Sequence, residues 1–211
     1  MQLRIPFSKA PHYKRIARLI KPKTFVLDLG CGSGDLGAFL SKKLSCLCVG
    51  LDVQSQAYRG ERGLFIQADG EQLPFREGVF DVVMSTHLME HVRNCVRSLH
   101  EQIRVLKPDG QFILCQADLL SPLQILDIVF LCPLRSRGQY GGIRWLRQLG
   151  KGVVHDNYYC GLAMRDEEIH TRFYWRQVLE AVGLKEIQLP FKIITYLGTI
   201  YMTANKSSRE K

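Results

Sequence analysis

Short runs of apolar residues alternate with segments of helical periodicity along the first 115 residues. Runs without a polar face predict strands buried on both sides, and apolar residues three and four positions apart predict amphipathic helices. The predicted strands are 25–27, 45–51, 63–67, 78–84, 111–115, 184–189 and 196–203, and the predicted helices are 11–20, 35–40, 92–106 and 171–182. A turn is predicted at 107–110, where Pro and Gly follow the long helix. This alternation is typical of a doubly wound α/β fold with a parallel sheet.

A glycine-rich turn joins the first predicted strand to the next helix. The strand ends at Asp28, and Gly30, Gly32 and Gly34 follow at alternate positions before helical spacing begins at Asp35. Glycine lets the backbone turn sharply and approach a ligand closely, and the helix that follows directs its free amides toward that ligand. The pattern therefore predicts a nucleotide site at this turn.

Two nucleotide-binding motifs fit the same glycines. Gly32, Gly34 and Gly37 satisfy G-x-G-x-x-G, the dinucleotide fingerprint, and Asp52 lies 20 residues after Gly32, where an acid would bind a ribose. The alternative is D-x-G-x-G-x-G, which runs from Asp28 to Gly34. The glycines alone do not decide between the two motifs. The first would indicate a nicotinamide enzyme, and the second a different kind of nucleotide-binding protein.

Acidic residues at successive strand ends favour the second motif. Asp28, Asp52 and Asp69 each follow a predicted parallel strand, and open α/β sheets bind ligands at that carboxyl edge. Asp52 can accept hydrogen bonds from both ribose hydroxyls of a nucleoside. Asp69 can accept a hydrogen bond from the exocyclic amine of an adenine. Gly70 has no side chain to fill the space next to that adenine.

These motifs resemble those of class I S-adenosylmethionine-dependent methyltransferases, and in particular the type 11 group. The resemblance covers residues 24–115 and is strongest at 28–34, 69–75, 80–83 and 106–110. It implies a Rossmann-like sheet of seven strands in the order 3-2-1-4-5-7-6, with the last strand antiparallel. It also implies methyl transfer from S-adenosyl-L-methionine as the activity.

The resemblance also implies which residues bind the cofactor. They are Asp28, Gly30, Cys31, Gly32, Gly34, Asp52, Val53, Asp69, Gly70 and Ser85. His87 follows the fourth strand and is the first candidate for a general base, which is useful when the acceptor carries a proton at neutral pH. A histidine that lines the pocket without transferring a proton is the alternative.

Residues 87–91 spell H-x-x-E-H, which has two further interpretations. The inverted zinc-protease motif has this form, but it belongs on a helix of an unrelated fold. Some O-methyltransferases and small-RNA methyltransferases carry E-x-x-E-H here and bind a divalent metal. Because His87 replaces the first glutamate of that motif, we predict no metal site, and Glu90 and His91 then begin a helix.

Composition indicates one domain over residues 1–211. The length suits a single α/β domain, 46% of residues are hydrophobic, and no apolar run reaches 18 residues. The amino terminus lacks the apolar core of a signal peptide, so a cytoplasmic location is expected. Seven cysteines without C-x-x-C pairs favour reduced thiols over disulfides or zinc.

Substrate choice is expected to depend on a lead-in helix within residues 1–23 and on a lid insertion at 117–165. The net charge is +9, and residues 1–27 carry seven basic side chains and no acid. Such bias suits nucleic acid, anionic lipid or an acidic substrate. Residues 119–134 are almost wholly apolar and are followed by arginines.

The lid favours a small hydrophobic or lipid-linked methyl acceptor, with peripheral contact with an anionic membrane as a further hypothesis. An RNA methyltransferase is the alternative, although no RNA-binding module and no Asn-Pro-Pro-Tyr-like motif are recognised. A third hypothesis is a non-catalytic subunit that binds S-adenosylmethionine.

Overall fold

A computed structural model describes residues 10–55, 64–117, 153–155, 168–170, 172–189 and 199–207. The helices are α1 (Ala10–Leu19), α2 (Asp35–Leu44), α3 (Cys95–Val105) and α4 (Arg172–Ala181). The strands are β1 (Phe25–Leu29), β2 (Leu47–Asp52), β3 (Leu64–Gln67), β4 (Phe80–Thr86), β5 (Leu106–Ala117), β6 (Val153–His155), β7 (Glu168–His170), β8 (Leu184–Gln188) and β9 (Thr199–Lys206).

Seven of these strands form one sheet in the order β3-β2-β1-β4-β5-β9-β8. The first five strands in that order are parallel, whereas β9 runs antiparallel to both β5 and β8. Counting β8 and β9 as the sixth and seventh strands gives 3-2-1-4-5-7-6, so the predicted Rossmann-like α/β fold is confirmed.

The alternation of side chains along each strand divides the core between the two faces of the sheet. On one face, Val26 of β1 packs with Ile16 of α1 and Leu40 of α2. On the other, Leu27 of β1 packs with residues of α3 and with Trp175 of α4. Because helices cover both faces, the strands are apolar on both sides, which explains their continuous hydrophobic runs.

The predicted turn at 107–110 is wrong, because these residues lie within β5. Phe80 pairs with Leu106 and Val82 pairs with Gln111, so the register shifts and the intervening residues bulge out of the ladder. Asp109 takes up the bend with a φ of 58°. The Pro-Gly signal therefore marks a bulge rather than a break between elements.

Other boundaries differ by a few residues from the predicted ones. Strand β9 begins at Thr199 and continues to Lys206, because it pairs with β5 as far as Asn205 and with β8 at Lys206. Most of the predicted lid lies outside the described residues. A short antiparallel pair, β6 with β7, was not predicted. None of the helices in the described ranges is long and apolar enough to cross a membrane.

Candidate active site

The glycine turn lies at the carboxyl edge of β1, as the sequence predicts for a ligand site. Gly30, Gly32 and Gly34 have φ values of 68°, 51° and 77°, a region that side chains rarely adopt. A Cβ at Gly30 would lie 3.0 Å from Leu88 Cδ1, whereas a Cβ at Gly32 would meet nothing within 4 Å. Gly32 therefore borders open space that a ligand can occupy, and Gly30 is required for packing.

Asp52 joins the end of β2 to this turn. Its Oδ2 accepts a hydrogen bond from the Gly32 N–H at 2.9 Å, and its Oδ1 accepts one from the Gln54 N–H at 2.9 Å. The next residue, Val53, has 65% of its surface exposed at the same edge. The carboxylate is thus oriented by the backbone beside the open side of Gly32.

Asp28 is buried beneath the turn, with 2% of its surface exposed. Burial, and then the nearby Asp52 carboxylate, raise the pKa of Asp28 from 3.8 to about 7. Burial also raises the pKa of the Cys31 thiol to about 12, with smaller contributions from the same two carboxylates. Cys31 is therefore a neutral thiol at pH 7 and cannot act as a nucleophile.

Asp69 and Gly70 follow β3 in a short turn. Asp69 is exposed, and its Oδ1 accepts a hydrogen bond from the Glu71 N–H at 2.9 Å. The Gly70 carbonyl accepts one from Ser98 Oγ at 3.0 Å, which attaches the turn to α3. This leaves an Asp69 oxygen facing water next to the glycine.

Ser85 lies in β4 and is fully buried. Its Oγ has no hydrogen-bond partner within the described part of the chain. Ser85 pairs with Leu114 of β5 and shares the face of the sheet on which α3 and α4 pack. It therefore lies beneath the edge rather than on its surface.

His87 projects from the end of β4 in an unusual conformation. Its φ is 50°, and its N–H donates to the Cys115 carbonyl at 2.8 Å. Its ring is 41% exposed and lies 3.3 Å, Nδ1 to Oε1, from Glu90, while Nε2 lies 3.4 Å from Thr199 Oγ1. Strained backbone of this kind costs about 1–3 kcal/mol and clusters at functional sites.

The Glu90 carboxylate can only accept a hydrogen bond, so it fixes the His87 tautomer. In that tautomer the Nδ1 proton points to Glu90, and the lone pair of Nε2 faces Thr199 Oγ1 at 3.4 Å. This is the orientation that a general base requires. From the sequence, Glu90 was expected either to belong to a metal motif or to begin a helix. The helix α3 begins instead at Cys95, and the spacing of H-x-x-E gives no sign of the His–Glu pairing.

No group of three or more His, Cys, Asp or Glu side chains in the described ranges is arranged to hold a metal ion. Next to His87, the ring of His12 in α1 has its centroid 6.1 Å away, and His12 Nδ1 lies 2.6 Å from Tyr201 Oη. The sequence gives no sign of this contact, because His12 and Tyr201 are 189 residues apart.

Comparisons with known proteins show what this chain is similar to in sequence and in fold. Residues 27–114 match the model of a methyltransferase domain of the type 11 group. Norajmaline N-methyltransferase of Rauvolfia serpentina is 27% identical over 61% of this chain and 52% of its own length. The human mitochondrial arginine-hydroxylase NDUFAF5 is 34% identical over 44% of this chain and 29% of its own length.

A solved structure also has the same fold. The 1,6-didemethyltoxoflavin-N1-methyltransferase of Burkholderia thailandensis, with its substrate and S-adenosylhomocysteine bound, superposes with a TM-score of 0.62 at 19% identity. The match covers 94% of this chain and 77% of that one. This chain spans about half or less of the two curated relatives above. The matched model identifies residues 27–114 as a methyltransferase domain of the type 11 group, and the strand order agrees with the fold of class I S-adenosylmethionine-dependent methyltransferases.

Proposed function

We propose that this protein transfers a methyl group from S-adenosylmethionine to a small acceptor whose nucleophilic oxygen or nitrogen carries a proton. The observation that carries the proposal is the pairing of His87 with Glu90 at 3.3 Å. This pair is adjacent to the glycine turn, because Leu88 packs against Gly30. A base is thereby held next to the expected cofactor site.

The residues at the sheet edge fit the cofactor. Gly32 leaves room for a ligand, and the two Asp52 oxygens suit ribose hydroxyls. Asp69 has an oxygen available for an adenine amine, and the buried Asp28 lies below the expected methionine end. Bound S-adenosylmethionine supplies an activated methyl group, so the protein contributes mainly alignment and a dry cavity.

His87 would take the acceptor's proton at Nε2 as the acceptor becomes methylated. Glu90 holds the Nδ1 proton, and its negative charge stabilises the imidazolium that results. Thr199 lies at 3.4 Å from Nε2, a long contact that an acceptor hydroxyl or amine can replace.

Two observations support a small hydrophobic or lipid-linked acceptor. The relatives named above include enzymes that act, by their names, on norajmaline and on a toxoflavin precursor. The apolar run at 119–134 favours a nonpolar substrate, and contact with an anionic membrane surface is part of the proposal. Failure to co-sediment with anionic vesicles at low salt would remove the membrane contact.

The cofactor test is calorimetric titration with S-adenosylhomocysteine and, separately, with NAD. We expect binding of the first alone. Asp52→Ala should weaken S-adenosylhomocysteine binding about 100-fold. The variant loses the two backbone hydrogen bonds to the Asp52 carboxylate and the expected interaction of that carboxylate with the ribose. Binding of NAD instead would contradict the family's cofactor, and binding of neither would indicate a protein that has lost cofactor affinity.

The acceptor test follows labelled methyl groups into small-molecule, lipid and RNA fractions. Wild type should label the first two, and His87→Gln should lower the rate about 100-fold with unchanged S-adenosylhomocysteine affinity. The matched control is His100→Gln, an exposed histidine of α3. Labelling of RNA alone would favour the RNA methyltransferase, and an unchanged rate in His87→Gln would remove the base.

A further inference from the structure

Three polar side chains meet between α1 and strand β9, and we call them the α1 cluster: His12, Arg15 and Tyr201. His12 Nδ1 lies 2.6 Å from Tyr201 Oη. The Arg15 guanidinium also hydrogen-bonds Tyr201. Tyr201 is 2% exposed and lies on the face of the sheet that α1 covers.

The direction of these hydrogen bonds follows from their chemistry. A guanidinium only donates, so Arg15 donates to Tyr201 Oη, and we assign the tyrosine O–H as the donor to His12 Nδ1. Burial, then His87 and Arg15, lower the pKa of His12 to about 4, so the ring is neutral at pH 7. With that assignment the single proton of the neutral His12 ring lies on Nε2, which is then a donor.

Two donors of the α1 cluster are left unused. His12 Nε2 and Arg15 Nη1 are both buried and have no hydrogen-bond partner in the described part of the chain. An unsatisfied buried donor costs about 1–3 kcal/mol, and more when it is charged. A pair of such donors, one of them cationic, suits a ligand that brings a negative charge and two acceptor oxygens.

The α1 cluster borders the proposed acceptor position. The His12 and His87 ring centroids are 6.1 Å apart, and the His87 ring is 41% exposed. A molecule whose nucleophilic atom contacts His87 Nε2 therefore has its neighbouring atoms beside His12. Residues 1–27 contain no acidic side chain.

We propose that the α1 cluster binds a carboxylate on the methyl acceptor, through Arg15 Nη1 and His12 Nε2, beside the nucleophilic group at His87. The inference rests on the proposed function. A carboxylate matches two donors in number and planar geometry, and one guanidinium balances its single charge. A phosphate would bring a second charge and a third oxygen that these two donors do not satisfy.

The test compares salicylate, which carries a hydroxyl beside a carboxylate, with 2-hydroxybenzyl alcohol, which replaces the carboxylate by a neutral group. Binding of each is measured by calorimetry with S-adenosylhomocysteine saturating. We expect salicylate to bind wild type about tenfold more tightly or better, since a hydrogen bond to a charged group is worth about 1.5–3 kcal/mol. Inorganic phosphate is titrated as well, and tighter binding of phosphate than of salicylate would overturn the carboxylate assignment.

Variants separate the two donors. Arg15→Gln keeps an amide but removes the charge, so the preference for salicylate should be lost. His12→Gln retains an N–H near the Nε2 position and should keep most of the preference for salicylate. His12→Asn is too short to do so and should lose most of that preference. Arg18→Gln, an exposed arginine of α1, is the matched control and should behave as wild type.

The outcomes distinguish the two proposals. If the wild-type protein does not bind S-adenosylhomocysteine, the proposed function itself fails. If S-adenosylhomocysteine binds, equal affinity for both probes, binding of neither, or a preference that persists in Arg15→Gln would overturn the carboxylate site alone. Thermal unfolding of each variant identifies any that fails to fold, and His12→Asn then still tests the site.

Discussion

Replacement of Asp28 by asparagine should stabilise the ligand-free protein, and the gain should grow with pH. Asparagine has the same shape but no charge. Asp28 is 2% exposed, and burial followed by the Asp52 carboxylate raises its pKa from 3.8 to about 7. Between these values the native protein holds a proton that the unfolded chain has released, so native stability falls as the pH rises.

The size of the effect follows from that pKa. One pKa unit corresponds to about 1.4 kcal/mol, so the full penalty of the buried carboxylate is about 4 kcal/mol and is reached above pH 7. At pH 5 about 1.7 kcal/mol of it is already present, because the unfolded chain is ionised there. The stability gap between Asp28→Asn and wild type should therefore widen by about 2.5 kcal/mol from pH 5 to pH 8.

Urea unfolding of both proteins at the two pH values measures this gap directly. Other titrating groups cancel, since they are common to both proteins. Asp109→Asn is the control, because Asp109 is exposed and asparagine tolerates its φ of 58°. A gap for Asp28→Asn that stays constant from pH 5 to pH 8 would refute the burial argument.

Two further predictions concern the turn and the core. Gly32→Ala should weaken S-adenosylhomocysteine binding at least about tenfold, because its Cβ enters the ligand space, at a backbone cost of about 1–2 kcal/mol. Gly183→Ala has the same open surroundings and a φ of 89° far from the site, so equal binding losses in both variants would contradict this reasoning. Trp175→Ala should lower the free energy of unfolding by about 3–5 kcal/mol, since Trp175 is 2% exposed between α4 and the sheet. Phe173→Ala, 64% exposed on the same helix, should change it by no more than about 0.5 kcal/mol in urea unfolding, and a similar loss in both would exclude packing as the cause.

The sheet could be predicted from sequence because its signals are local. A strand buried on both faces needs a continuous apolar run, and a close backbone turn needs glycine, so 25–34 was identified from adjacent residues. The bulge at 107–110 was mistaken for a turn because Pro and Gly end pairing in either case. Only the pairing of Phe80 with Leu106 distinguishes the two.

The proposed cofactor half of the site follows from the same local logic. Asp28, Asp52 and Asp69 each end a strand, and parallel strands bring their carboxyl ends to one edge. The sequence did not reveal the solvent exposure of each carboxylate. Burial beneath the turn gives Asp28 its raised pKa, whereas Asp69 stays exposed.

The proposed acceptor half of the site depends on tertiary structure. The sequence alone determined the glycine turn and the position of His87. The strand order was predicted from the family resemblance. Only the folded sheet brings Thr199 to His87, across 112 residues, and Tyr201 to His12, across 189 residues. Such contacts leave no periodic trace, because they depend on where antiparallel β9 and helix α1 come to lie beside β4.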